Sequence, residues 1–319
     1  MMNIKSKIII TSFLIVGVAF AFGIYVYMGP ILISRGNTVF NDNVLPLLAT
    51  VESSKKHRSG QIPASLPSDA SAPFVENFDT TYTVKEVGNM AKSASPGWWL
   101  SSGAYFYSAH GIGSTISGSL FAIDPWRVAY SISNPLDTDN GYHPQNIFRL
   151  VLNRGKWQNF QQEAYFQITK NNLSDSSNRN ASNGLLLFNR YQDAFNLYYT
   201  GIRVDGAAVI KKKINGTYHT LAYKSFYSDT TPYNRDTNAN LIPNQKWIGL
   251  KSEIKTNPDN TVSIKFFIDK DKTGNWILAA EAKDDDKSYG GPVILNEGYV
   301  GIRTDFMDVE IDDYKVTRF

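Results

Sequence analysis

Three groups of side chains in this 319-residue sequence have the types and spacing to do chemistry. The first rests on two hairpin signals. Asn196 to Val204, Ala207 to Ile214 and Thr217 to Phe226 are β-prone runs joined by Asp205-Gly206 and Asn215-Gly216. Such dipeptides favour type I′ turns, whose two central residues both need positive φ. If each loop has two residues, Tyr199 faces Lys212 and Lys212 faces His219, with Arg203 further along the same side. A row of Tyr, Lys and His near an Arg suits an acidic or hydroxyl-rich glycan, and Tyr or His could take a proton. The other face then carries Tyr198, Lys213 and Tyr218, and a one-residue slip scrambles the rows. A solvated sheet face with aromatic cross-strand pairs accounts for the same letters.

The second group is Asp269-Lys270-Asp271-Lys272-Thr273-Gly274-Asn275. Oxygen ligands at alternate positions and Gly at the sixth match the first half of a calcium loop, making Asp269, Asp271 and Thr273 candidate Ca²⁺ ligands. The twelfth position is Ala280 rather than Glu, and strand-like runs flank the loop, so an Asp/Gly-rich hairpin turn is the competing reading. The third group, Glu310-Ile311-Asp312-Asp313, places alternate acids on one strand as glycosidases do, but lacks a second Glu. It reads as a solvent-facing edge of the last strand. The four histidines (His57, His110, His143, His219) are scattered, and no G-x-S-x-G, P-loop, G-x-G-x-x-G or H-E-x-x-H occurs. No catalytic residue is assigned. With no cysteine, the chain has no disulfide, thiol nucleophile or Cys-ligated metal.

The elements that must position these groups are strands. Gly184 to Tyr191, Trp247 to Lys255, Val262 to Ile268, Trp276 to Ala282, Tyr299 to Arg303 and Val309 to Arg318 extend the pattern. Many short strands with frequent turns predict an all-β, two-sheet antiparallel jelly-roll sandwich. Before it, Ile8 to Met28 is a 21-residue run without charge, preceded by Lys5 and Lys7. At about 1.5 Å per residue it matches a bilayer's hydrocarbon thickness, so one transmembrane helix with a cytoplasmic N-terminus is expected; a cleaved signal peptide is the alternative. The expected organisation is a cytoplasmic stub and signal-anchor over 1–35, a Pro/Ser-rich tether over 36–73 and the sandwich over 74–319, outside the cell membrane. Of 32 Lys/Arg and 29 Asp/Glu, six and three lie in the first 69 residues, leaving 26 of each in the remainder. A neutral body has no electrostatic footprint for nucleic acid.

The closing phrases Gly298-Tyr299-Val300-Gly301-Ile302-Arg303 and Val309-Glu310-Ile311-Asp312-Asp313-Tyr314-Lys315-Val316 resemble the ending of concanavalin A-like lectin/glucanase jelly rolls, with Trp98-Trp99-Leu100 placed like an early Trp-bearing strand. That superfamily includes laminin G-like modules, lectins, family-16 glycoside hydrolases and polysaccharide lyases. The resemblance therefore implies a surface-tethered carbohydrate-binding or adhesion module, with a lyase for an acidic glycan as the alternative. Alginate-lyase-like members carry strand motifs similar to "R-x-E-L-R" and "Q-I-H". Arg149-Leu150-Val151-Leu152-Asn153-Arg154 and Gln167-Ile168-Thr169 resemble these without the Glu and the His, which adds Arg149 and Gln167 to the candidate glycan contacts.

Overall fold

The computed structural model describes residues 72–228 and 231–319. The expected anchor and nearly all of the tether fall outside them. Among the described residues no helix is long and apolar enough to cross a membrane.

The described chain forms β1 (Phe74–Glu76), β2 (Tyr82–Lys85), β3 (Trp98–Ser102), β4 (Tyr105–Ala109), β5 (Ile112–Ser114), α1 (Pro125–Ser133), β6 (Ile147–Trp157), β7 (Phe160–Asn171), β8 (Gly184–Asp193), β9 (Asn196–Arg203), β10 (Ala207–Ile214), β11 (Thr217–Ser225), β12 (Trp247–Thr256), β13 (Val262–Lys270), β14 (Trp276–Asp284), β15 (Gly298–Asp305) and β16 (Met307–Arg318). One sheet runs β14-β13-β12-β7-β16-β5-β4-β2, with β1 also on β16; the other runs β11-β10-β9-β8-β15-β6-β3. Every pairing between these strands is antiparallel. The result is a two-layer sandwich of the jelly-roll kind.

Period-2 alternation builds the core. In β7, Phe160, Gln162, Ala164, Phe166 and Ile168 point inward; in β10, Ala208, Ile210, Lys212 and Ile214 do. Trp98 meets Tyr314 edge-on at 4.9 Å, and each fully buried large side chain contributes about 1.5–3 kcal/mol. Polar groups between the sheets are satisfied internally. Arg190, fully buried, donates to the carbonyls of Gln158 and Ile294 and to Thr256 Oγ1.

Helix α1 departs from the strand-only expectation. At nine residues it is too short for its periodicity to stand out, and its signal is the cap: the Asp124 carboxylate accepts the Trp126 N–H at 2.8 Å and Pro125 occupies the first turn.

The two hairpins differ in a way that matters for the site. Between β10 and β11 the loop has two residues, Asn215 (φ +48°) and Gly216 (φ +84°), and Lys212 pairs with His219. Between β9 and β10 the loop has three, Val204-Asp205-Gly206, closed by the Gly206 N–H on the Arg203 carbonyl at 2.9 Å. Gly206 has φ +81°, and a β-carbon there would lie 2.0 Å from the Tyr227 carbonyl oxygen. The extra residue slips the register by one. Lys212 faces Tyr198, and Tyr199 faces Lys211.

Candidate functional site

That slip separates the expected row. Tyr198, Lys212 and His219 share the inner face, whereas Tyr199 lies on the outer face with Lys211, Lys213 and Tyr218. Lys212 is fully buried and donates to Asp284 Oδ1 at 3.0 Å and to the Gly291 carbonyl at 2.7 Å. Tyr198 donates to the other Asp284 oxygen and accepts the Ile294 N–H at 3.0 Å. Lys212 is thus an interior tie for the 285–297 loop rather than a ligand contact. His219 lies against Gly290 and Gly291, whose β-carbons would stand 3.1 and 3.3 Å from its ring nitrogens.

Gln167 is also placed apart. It lies on the outer face of the nine-stranded sheet, paired with Trp247 and Glu310 and 3.4 Å from Gln245 Oε1, on the far side of the sandwich from Arg149. The three expected calcium ligands do not converge. The Asp269 carboxylate accepts Thr273 Oγ1 at 2.7 Å, the Thr273 and Gly274 N–H groups at 3.2 and 2.7 Å, and Tyr165 Oη at 2.9 Å. Burial works to raise its pKa, but these donors hold it below the usual carboxylate value. Asp271 turns outward to Lys246 at 3.2 Å. Among the described residues, no three His, Cys, Asp or Glu side chains gather as a metal-holding group. The Asp/Gly spacing serves a turn.

Two expected residues, Arg149 and Tyr199, share one outer face, that of the seven-stranded sheet, with Arg203 at its margin. Residues the sequence reading left unassigned complete it. The register runs Trp99, Val151, Gly301, Phe188, Tyr199, Lys211 in one row across the sheet, and Arg149, Arg303, Leu186, Gly201 in the next. Val151, Leu186, Phe188, Tyr191, Tyr199 and Val209 pack into a floor that is itself buried. Gly201 and Gly301 interrupt it, each with a backbone carbonyl 2.3 Å from where a β-carbon would sit.

Cations are set into this floor. Arg149 and Arg303 stand directly opposite one another. Arg303 donates to Asp305 Oδ1 at 2.8 Å, with Tyr218 Oη 3.5 Å away. Lys213 Nζ sits 4.8 Å from the Tyr218 ring centroid, and Lys211 Nζ sits 6.0 and 5.9 Å from the Tyr199 and Tyr218 rings. Arg203 pairs with Asp205 at 2.7 Å and stacks on Tyr223 at 5.1 Å. Among the described residues, Asp305 and Asp205 are the acids in direct contact with Arg303 and Arg203.

The titration behaviour follows from this crowding. Desolvation, then repulsion from Arg303, lowers Arg149; desolvation, then Arg203, lowers Lys211. Burial raises Tyr199. For Tyr218 burial also pushes upward, but Arg303 and Lys213 outweigh it and the phenol is held below its ordinary value. At the edge of the face, Arg149 pairs with Ser102 of β3, and beneath that strand end lies Glu86. Glu86 accepts Tyr130 Oη at 2.6 Å and the Ala104 N–H at 2.8 Å. Burial lifts its carboxyl to about 7 against these donors and the weaker pull of Arg149.

A sequence signal for the missed partners existed. Arg303 ends the phrase Gly298 to Arg303, and Tyr218 follows the Asn-Gly turn. The two-residue reading of Asn215-Gly216 correctly puts Tyr218 beside Lys213, but the letters do not say which face of the sheet that row lines.

No family model and no curated protein matches the chain. Among solved structures it is similar to the carbohydrate binding module CBM66 from Bacillus subtilis, at 16% identity and TM-score 0.36 over 53% of this chain and 81% of that one. It is similar to the alginate lyase Aly36B at 8% identity and TM-score 0.36, over 78% and 98% of the two chains. It is also similar to the GH43 protein BlXynB from Bacillus licheniformis, at 13% identity and TM-score 0.39 over 77% of this chain, which spans only 39% of that protein. Likenesses of this depth carry no argument about what the chain binds.

Proposed function

We propose that the outer face of the seven-stranded sheet binds an acidic glycan, in a concanavalin A-like domain held outside the cell membrane by Ile8 to Met28. The carrying observation is the direct pairing of Arg149 with Arg303 over an aromatic floor. Like charges directly opposite in a sheet are destabilising, and an anionic ligand laid over Arg149 and Arg303 would offset that repulsion. Arginine forks match carboxylate geometry, and the partly exposed Trp99 and Tyr218 offer apolar faces to sugar rings.

A second reading is favoured by one observation. Tyr218, 46% exposed with its phenol pulled down by Arg303 and Lys213, is suited to take a proton next to a carboxylate that the arginines neutralise. This is the arrangement a polysaccharide lyase needs: the base removes the proton α to the carboxyl, the glycosidic C–O bond breaks, and the leaving oxygen is protonated.

One experiment separates the two. Uronate-bearing and neutral polysaccharides are cast into native gels with the protein run through them, and the same mixtures are followed for ultraviolet absorbance of unsaturated ends. Retardation by the uronate polymer without new ends supports binding alone, and new ends support the lyase. Neither response overturns both readings.

A further inference from the structure

The α1 corner carries apolar side chains that nothing in the described chain covers. Phe121 is 84% exposed, Ile123 91%, Ile132 72% and Leu136 76%. The helix is seated by its other side: Trp126 and Tyr130 pack with Ala104, Ile116 and Ile147. Pro125, Val128 and Ile132, three and four residues apart, therefore form an outward stripe. Exposed Leu173 extends it, because the neighbouring Ser174 hydroxyl donates to the Leu136 carbonyl at 3.2 Å.

The surroundings say what kind of partner fits. From Ser117 to Leu136 there are two charges, and both are engaged: Asp124 caps the helix and Arg127 stacks on Tyr142 at 3.8 Å. Tyr142, exposed and carrying Arg127 on its ring, is the kind of amphipathic aromatic side chain that sits at a lipid headgroup level. Phe121 and Ile123, each more than four-fifths exposed, touch almost nothing of their own domain, so they protrude from it. A protein partner would need a deep complementary pocket, whereas lipid deforms around a protruding tip. The same chain carries the uncharged run Ile8 to Met28, and the 45 residues from Gly29 to Pro73 separate it from β1. At up to ~3.3 Å per residue those residues easily exceed the roughly 25 Å that β16 puts between the β1 end and the α1 end of the sandwich.

We infer that the Phe121–Leu136 tip inserts into the surface of a phospholipid bilayer, so that the domain rests on the membrane. The inference is independent of the glycan reading. Because the chain has no cysteine, single-site labelling tests it directly. The full chain with Ile132→Cys, and separately with Lys265→Cys on the exposed outer face of the nine-stranded sheet, carries an environment-sensitive dye and is mixed with phosphatidylcholine vesicles containing a spin-labelled lipid quencher. The expected result is several-fold stronger quenching at position 132 than at 265. Adding Phe121→Ser and Ile123→Ser should reduce quenching at 132 at least three-fold, with unchanged circular dichroism showing that the fold persists. Equal quenching at the two positions overturns the inference. So does quenching that survives the two serines, or dye–dye contact between copies in place of lipid quenching.

Discussion

The two outer faces of this sandwich are built from the same kind of strand but treat charge in opposite ways. On the nine-stranded sheet charges alternate across strands: Lys251 faces Glu163, and Lys265 lies between Glu253 and Glu281. At its margin Lys272 joins Asp312 and Asp313, and Lys283 meets Asp259 at 2.9 Å. On the seven-stranded sheet Arg149 faces Arg303, with Lys211 and Lys213 nearby. The first pattern needs only water outside it. The second sets like charges directly opposite one another over a buried floor, a pairing that the balanced charge count of residues 70–319 does not reveal. Local arrangement, not net charge, distinguishes the two faces.

Lys211 and Lys212, neighbours on β10, point to opposite sides of the sheet and should respond differently to the same substitution. Lys212→Met leaves Asp284 buried without its cation and should destabilise the domain by about 3–5 kcal/mol in denaturant titration. Lys211→Met, pointing outward from the next position, should change stability by less than about 0.5 kcal/mol yet weaken glycan retardation. If both variants lose stability alike, the division into interior and binding charges fails.

Glu86 gives a smaller effect with a definite sign. Its folded pKa of about 7 lies above its ordinary value of 4.5, so the stabilisation of its protonated form is complete below about pH 4.5 and is lost as pH rises through 7. Stability should fall by up to about 3 kcal/mol across that window. Glu86→Gln should flatten the fall, read as melting temperature at pH 5 and pH 8, and an unflattened profile would contradict the assignment. Smaller again, Lys213→Gln should let the Tyr218 phenol titrate at higher pH, visible by labelled-tyrosine NMR. Tyr218→Phe should cost binding roughly five-fold or less, consistent with loss of one ordinary hydrogen bond, but should abolish any lyase activity.

Much of the strand pattern was legible in the sequence, because alternation and Asn-Gly or Asp-Gly turns report local structure. The β10 strand, Ala207 to Ile214, has the predicted limits, and Asn215-Gly216 makes the two-residue turn expected of it. The face assignment was not legible. Asp205-Gly206 reads as a two-residue loop, yet close approach of the Tyr227 carbonyl to Gly206 accompanies a three-residue one, and that single residue exchanged Tyr198 and Tyr199 between faces. The Arg149–Arg303 pair brings together residues 154 positions apart in the chain. Gln167 illustrates the converse: a motif-like tripeptide on β7 places its side chain on the opposite side of the sandwich. Short-range letters set strands and turns, and long-range register decides which side chains meet.

The proposed function requires that the Arg149–Arg303 face recognise carboxylates on a glycan. Calorimetric titration with a uronate oligosaccharide, and with the same oligosaccharide after its carboxyls are reduced to alcohols, tests it most directly. The acidic form should bind measurably and more weakly with added salt, the reduced form at least ten-fold more weakly, and Arg149→Ala or Arg303→Ala, but not Lys251→Ala, should lose about 10–100-fold. Equal affinity for the acidic and reduced sugars, or an equal loss from Lys251→Ala, would contradict it.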